Sequence, residues 1–222
     1  MSLPYEYHTC MFISILTCIL TCHHQAMVTR KGDQLGFAAN LILRSLIHAE
    51  MTNITQANAD ELRNDEIAPE VDLISAIRAV GNYGEIYARH MEEVLPREGL
   101  NLLYNLNEEN QFGLHYSHPL GTIDTFRHEF AADGKINTIL ERGKLICGVY
   151  DIHSMETDYC RALSGSLFSG NKNLVELVKM PAKDDVLRMK LDSGQVDVVA
   201  GVPVGVKALL GLAFSQPYYF DG

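Results

Sequence analysis

The sequence predicts an α/β fold with a mostly parallel sheet flanked by helices. Three observations predict it. Residues 144–202 alternate strand, helix, strand, helix, strand, an order that lays strands in parallel beneath crossover helices. Residues 33–50, "DQLGFAANLILRSLIHAE", repeat apolar side chains at helical spacing. The composition, 47% hydrophobic and 21% charged over 222 residues, supports a sizeable core and excludes general disorder.

The strongest apolar run is "CMFISILTCILTC", residues 10–22, too short for a bilayer span but of the length of a signal-peptide core. The preceding "MSLPYEYHT" carries no Lys or Arg, and "CHHQAM" is a poor cleavage site. A buried strand or helix, or a non-native start to the chain, explains the run about as well. Residues 1–27 are therefore an apolar leader of unclear status. A helix follows over 33–51, with Phe37, Leu41, Leu46 and Ile47 on its buried side and Asp33 as N-cap. Thr55 is a candidate N-cap for a short second helix, and Asn53-Ile54-Thr55 is formally a glycosylation acceptor.

Residues 71–91 read as one further helix, with Val71, Ile74, Ile77, Val80 and Ile86 or Tyr87 recurring on one side. Gly81 and Gly84 interrupt it at about 1 kcal/mol each relative to alanine, so another role must account for them, such as close approach of a second backbone. Pro96 stops any continuation, and "REGLNLLYNL" makes another helical piece before the loop "FGLHYSHP". Residues 120–134 are polar and broken, and read as a linker. Beyond it come a helix over 134–142, the strand "KLICGVY", a helix over 156–168, the strand "NLVELVKM", the helix "DDVLRMKLDSGQ" stopped by Gly194, and the strand "VDVVAGV". The last strand is apolar enough to be buried on both faces.

Charge and motifs exclude several function classes. The formal net charge is -10 and no Lys/Arg run offers a footprint for a phosphate backbone, so nucleic acid is not an expected partner. Five cysteines form no C-x-x-C pair and no zinc spacing. Buried free thiols are the simplest reading; a Cys147–Cys160 disulfide, which would require an oxidising compartment, is the alternative. His115 and His118 lie in an apparent loop without a third ligand, His23 and His24 stand as a solitary pair, and Glu85 and His90 share no helix face. No nucleophile elbow, P-loop or dinucleotide fingerprint occurs, so no metal, cofactor or catalytic residue is assigned.

The motifs "ILERGKLICGV", "TDYCRALSGSLF", "VLRMKLDSGQVDVV" and "LAFSQPYYFDG" resemble, in order, the opening of solute-binding proteins of ABC amino-acid uptake systems, family 3. They also resemble the general L-amino-acid-binding type, which carries cysteines where Cys147 and Cys160 stand. "VTRKGDQLGFAANLILRSLIHAEMTNITQANADEL", "AIRAVGNYGEIYARHM", "REGLNLLYN" and "GLHYSHP" resemble the other end of the same family. The C-terminal family segment (28–119) thus precedes the N-terminal one (135–222). The resemblance implies one lobe of a periplasmic-binding-protein-like (type II) fold in circularly permuted order, or the seam of two tandem units.

By that resemblance the chain is an amino-acid-binding module of an ABC-type transport system or receptor, periplasmic or extracellular, with a membrane permease or a second lobe as partner. Tyr150 and Asp151 fall at the carboxyl end of the first strand of the α/β segment, where open sheets receive ligands. Gly201 and Lys207 fall after the strand "VDVVA", where relatives hold the ligand carboxylate with an arginine. Here that position falls near Val206, and Lys207 is a point charge without the planar fork. The loop after the first strand is also cut to "YDIHS". Both departures argue against tight affinity. Tyr218 and Tyr219 are expected to pack at the hinge. The alternatives are a cyclic-acid dehydratase on the same fold, with Asp151 and Glu156 as its candidate acid and base, and an interaction remnant whose exposed cleft face binds another chain.

Overall fold

A computed structural model describes residues 23–61, 71–94, 97, 134–181, 184–203, 212–215 and 218–221. The elements in chain order are β1 (His23–Arg30), α1 (Gln34–Met51), a 3-10 turn (Gln56–Glu61), α2 (Leu73–Val80), α3 (Tyr83–His90), α4 (Lys135–Arg142), β2 (Leu145–Val149), α5 (Met155–Leu167), β3 (Val175–Lys179), α6 (Asp184–Asp192), β4 (Val198–Pro203), β5 (Leu212–Phe214) and β6 (Tyr219–Asp221). The strands β3-β2-β4 run parallel, as the alternation predicts, and α5 and α6 make the crossovers. β1 then lies antiparallel to β4, and β5 and β6 both pair with β1.

That strand was not anticipated. It begins at His23, inside the segment read as a leader, and it belongs to the centre of the sheet: Ala26, Met27, Val28 and Thr29 are all buried. Its composition, "HHQAMVTR", lacks the branched apolar run that marks the other central strands. Most of the apolar leader and of the linker, together with Lys207, His115 and His118, lies outside the described residues.

Each face of the sheet packs its own apolar layer. One layer joins Met27, Val198, Ala200, Cys147 and Val149 to the helices α1, α2, α3 and α5. The other joins Val28, Val199, Val202 and Met180 to Leu187 and Leu191 of α6. Val198 and Ala200 on the first face and Val199 on the second bear out a last parallel strand buried on both sides. The first layer draws its residues from both resembling segments: Leu35, Ile77 and Tyr87 stand in the same cluster as Leu145, Leu163 and Tyr218. The two portions therefore share one interior.

The helix over 33–51 forms almost as expected, with Asp33 Oδ1 accepting from the Leu35 amide at 2.9 Å. Thr55 does not cap the next turn through its oxygen; its amide and hydroxyl both donate to Asn58 Oδ1 instead. The expected single helix over 71–91 is two. Gly81 takes φ 89°, ends α2, and leaves Asn82 to cap α3. Asn82 and Glu85 form a reciprocal capping box, Asn82 Oδ1 accepting from the Glu85 amide and Glu85 Oε2 from the Asn82 amide. Close helix approach comes from a different glycine. A Cβ on Gly165 of α5 would lie 2.9 Å from Ala79 Cβ and 3.2 Å from the Ser75 carbonyl of α2.

The free-thiol reading of Cys147 and Cys160 is also corrected. They form a disulfide, Cα atoms 6.1 Å apart, that ties β2 to α5. Both cysteines are fully buried, and the strand-to-helix spacing brings them face to face across the layer. At the opposite end of β2, Asp197 is buried before β4 and bridges the segments around it. Its carboxylate pairs with Lys135 at 2.8 Å and with Arg142, and accepts from the Ile146 amide at 2.8 Å.

Candidate functional site

The parallel strands β2 and β4 present their carboxyl ends on one rim of the sheet, beside the first turn of α5. In an open α/β sheet this rim is where ligands are received. The local sequence explains its shape. Between Val28↔Val199 and Ala26↔Val202 the register moves by two residues on β1 and by three on β4. One extra residue is therefore inserted in β4 beside Gly201, whose φ of 80° suits glycine. The bulge removes Gly201 from the ladder, and its amide instead donates to the Tyr218 hydroxyl at 2.6 Å.

Tyr218 is fully buried and tied in at both ends. Its amide donates to the Gln25 carbonyl at 3.0 Å, and its carbonyl accepts from the Tyr83 hydroxyl. Its ring meets that of Tyr159 at 4.6 Å between centroids, tilted by 54°. Tyr83 belongs to α3 and Tyr159 to α5, so the rim is assembled from both resembling segments. Tyr218 thus packs into the common core beneath the rim.

The first turn of α5 rests on the loop that follows β2. Ser154 is the N-cap by position but not by side chain, because its hydroxyl donates to the Asp151 carbonyl at 2.7 Å. Asp151 Oδ1 accepts from the His153 amide at 2.9 Å, and Thr157 Oγ1 donates to the Ile152 carbonyl at 3.0 Å. The short loop "YDIHS" is thereby held by its own hydrogen bonds. Glu156 follows, 7% exposed, and lies over Gly201: a Cβ there would be 3.0 Å from Glu156 Cγ.

Of the four residues singled out from sequence, Gly201 stands at the centre of this rim. Asp151 is exposed at its edge and engaged by the loop backbone. Tyr150 is half-buried and packs toward the layer of Val28 and Val199, on the far face from Glu156's neighbours Met155 and Ala200. Lys207 lies outside the described residues. Glu156, named from sequence only as a candidate acid or base of a dehydratase, lies over Gly201. The "AGV" break in an otherwise branched strand was the available signal, since a glycine inside a strand marks a bulge or a close approach.

A second charged cluster lies between α3 and α5. Asp158, 7% exposed at its side chain, accepts from Arg89 Nη2 at 2.7 Å and from His90 Nε2 at 2.9 Å, with Arg161 at 3.3 Å. Burial alone would raise the Asp158 pKa, but the hydrogen bonds from His90 and Arg89 outweigh it and hold the carboxyl below its ordinary value. Oδ2 is engaged from α3 by Arg89 and His90 and Oδ1 from within α5 by Arg161, which makes this a structural junction. No group of His, Cys, Asp and Glu suited to hold a metal occurs among the described residues. Among them, too, no helix is long and apolar enough to cross a membrane.

No family model and no solved structure matches the chain. A curated relative does: the general L-amino acid-binding periplasmic protein AapJ of Rhizobium johnstonii is 31% identical over 115 aligned positions. The match covers 41% of this chain and 32% of the relative, so it spans less than a third of that protein's length. The chain is thus distantly similar to a periplasmic amino-acid-binding protein, on a fold consistent with one lobe of such a protein.

Proposed function

We propose that the chain binds an amino acid as one lobe of a solute-binding protein, without catalysis. The similarity to AapJ, whose name records amino-acid binding in the periplasm, is the observation that carries this reading. Under it the ligand sits on the rim formed by the ends of β2 and β4, lined by Tyr150, Asp151 and Gly201, with Lys207 as a carboxylate contact. A second lobe covers the ligand and a membrane permease receives it. The location is periplasmic or extracellular, an oxidising setting in which the Cys147–Cys160 bond is at home.

The order of segments supports a circularly permuted lobe. The portion resembling the family's end precedes the portion resembling its beginning, and the two close on one interior. Calorimetry and thermal shift against the common amino acids test the binding reading. Saturating ligand at 100 times its Kd is expected to add about 2.7 kcal/mol of apparent stability. No shift with any amino acid at millimolar concentration overturns it.

A further inference from the structure

We infer that Arg44 and His48 of α1 form a binding site for an oxyanion, of the kind carried by carboxylates and phosphates, separate from the rim. The inference goes beyond the amino-acid-binding reading and does not rest on it. Every residue of α1 is buried or half-buried, so the helix lies almost wholly inside the fold. Phe37, Asn40, Arg44, His48 and Met51 are all half-buried and recur at helical spacing as one stripe. Phe37 and Met51 pack back against the first apolar layer, which leaves the two basic side chains in largely apolar company. Arg44 Nε and His48 Nδ1 are both buried, and neither meets a hydrogen-bond partner.

No counter-charge is at hand. Glu50, the one acid in α1, is taken by Arg97, its Oε2 accepting from Arg97 Nη2 at 3.0 Å. Burial pulls the Arg44 pKa below its ordinary value, and no neighbouring carboxylate pushes it back. A guanidinium partly out of water and unpaired is costly, and an anion is what offsets it. Neither Arg44 Nη1 and Nη2 nor His48 Nε2 is sealed or partnered among the described residues, so these nitrogens are the ones a ligand can reach. Side chains four residues apart on a helix stand about 5–6 Å apart at Cβ, close enough to meet one small ligand from two directions. The guanidinium supplies the planar fork that matches paired oxygens, and the imidazole adds an N–H from the next turn. The formal net charge of -10 repels anions from the molecule as a whole, so an anion held here is held by local donors.

The test titrates isotope-labelled protein by NMR with sulfate and, separately, with acetate, chloride holding the ionic strength constant. In wild type the Arg44 Nε–H and His48 ring signals are expected to move together and to saturate. Saturation with sulfate alone assigns the site to phosphate-type ligands, with acetate alone to carboxylates, and with both to the chemistry they share. Arg44→Met keeps the apolar stem and removes the charge; it is expected to weaken the His48 response at least tenfold. Arg44→Lys, which keeps the charge without the fork, should weaken it less. Without added anion the melting temperature of Arg44→Met should stay level or rise, since an unpaired charge is gone. Shifts that stay linear in both anions mean adventitious contact only and overturn the inference, as does a His48 response unchanged in Arg44→Met. A lower melting temperature for Arg44→Met gives Arg44 a structural role and also ends it. None of these outcomes bears on amino-acid binding at the rim, which has its own titration.

Discussion

Arg89 of α3 and Asp158 of α5 meet at 2.7 Å across the joint between the two halves of the chain, 69 residues apart in sequence. Asp158 is nearly sealed from water whereas Arg89 is 44% exposed, so the carboxylate depends on the pair more than the guanidinium does. Asp158→Ala is expected to destabilise the fold by on the order of 3 kcal/mol, because His90 and Arg89 would lose the acceptor around which they are packed. Urea titration of the variant measures it. Arg89→Ala should cost less, since His90 and Arg161 still face the carboxylate.

The same contact sets an acid limit. The folded Asp158 pKa lies below the unfolded value of about 3.9, so its stabilisation is complete above that value. As pH falls below 3.9 and through the folded pKa, the unfolded state binds the proton first and the stabilisation is lost. Urea midpoints measured from neutral pH down through that acid range should fall for wild type and fall less for Asp158→Asn, which has no proton to take up there. Parallel acid profiles would show that other carboxylates carry the dependence.

The disulfide closes a loop with a sequence separation of 13 residues, and reduction is expected to cost on the order of 3 kcal/mol. Both sulfurs lie in the sealed layer between β2 and α5. Reductant should therefore act slowly on the native protein and quickly in urea. Comparing denaturation midpoints of oxidised and prereduced protein gives the cost, and mass shift after alkylation gives the rate.

The elements that the sequence declares are those whose signals are local. Asp33 before a long apolar-periodic run, Gly194 after a short helix, and the branched strands between helices all read directly. β1 escaped because its burial comes from neighbours on both sides, β4 on one and β5 with β6 on the other, and not from its own composition. Gly81 was read as a packing glycine because apolar spacing runs past it; the Asn82–Glu85 box, which actually restarts the helix, spans only four residues. Sequence position puts Tyr150, Asp151 and Gly201 at the strand ends, and the bulge falls beside Gly201. Glu156 lies over Gly201, a contact between α5 and β4 that no local sequence pattern displays.

The glycines separate backbone from packing requirements. Gly165→Ala places a methyl group 2.9 Å from Ala79 Cβ and 3.2 Å from the Ser75 carbonyl, where α2 and α5 cannot part without disturbing the core. A loss of roughly 1–3 kcal/mol is expected. Gly84→Ala meets only the end of the Glu50 side chain, at 2.8 Å, and gains helix propensity in α3. It should cost clearly less than Gly165→Ala in the same urea titration. Equal losses would place the tight helix contact at α3 instead.

The shared interior carries the strongest prediction. Leu35, Ile77 and Tyr87 pack in one cluster with Leu145, Leu163 and Tyr218, Lys172 Nζ donates to the Ala79 carbonyl at 2.7 Å, and β1 pairs directly with β4. None of these contacts runs through the peptide between 98 and 133. A protease site placed within 120–134 and cut after folding should therefore leave the two pieces associated under native conditions and separable in urea. Each piece made alone would expose half of an apolar layer, and should fold only when mixed with the other. Size-exclusion chromatography of the cut protein reads the first outcome, and far-UV circular dichroism of the separate and mixed pieces reads the second. Two pieces that part on cutting and each keep their helical signal would mean separate cores, and the permuted lobe would lose its physical basis.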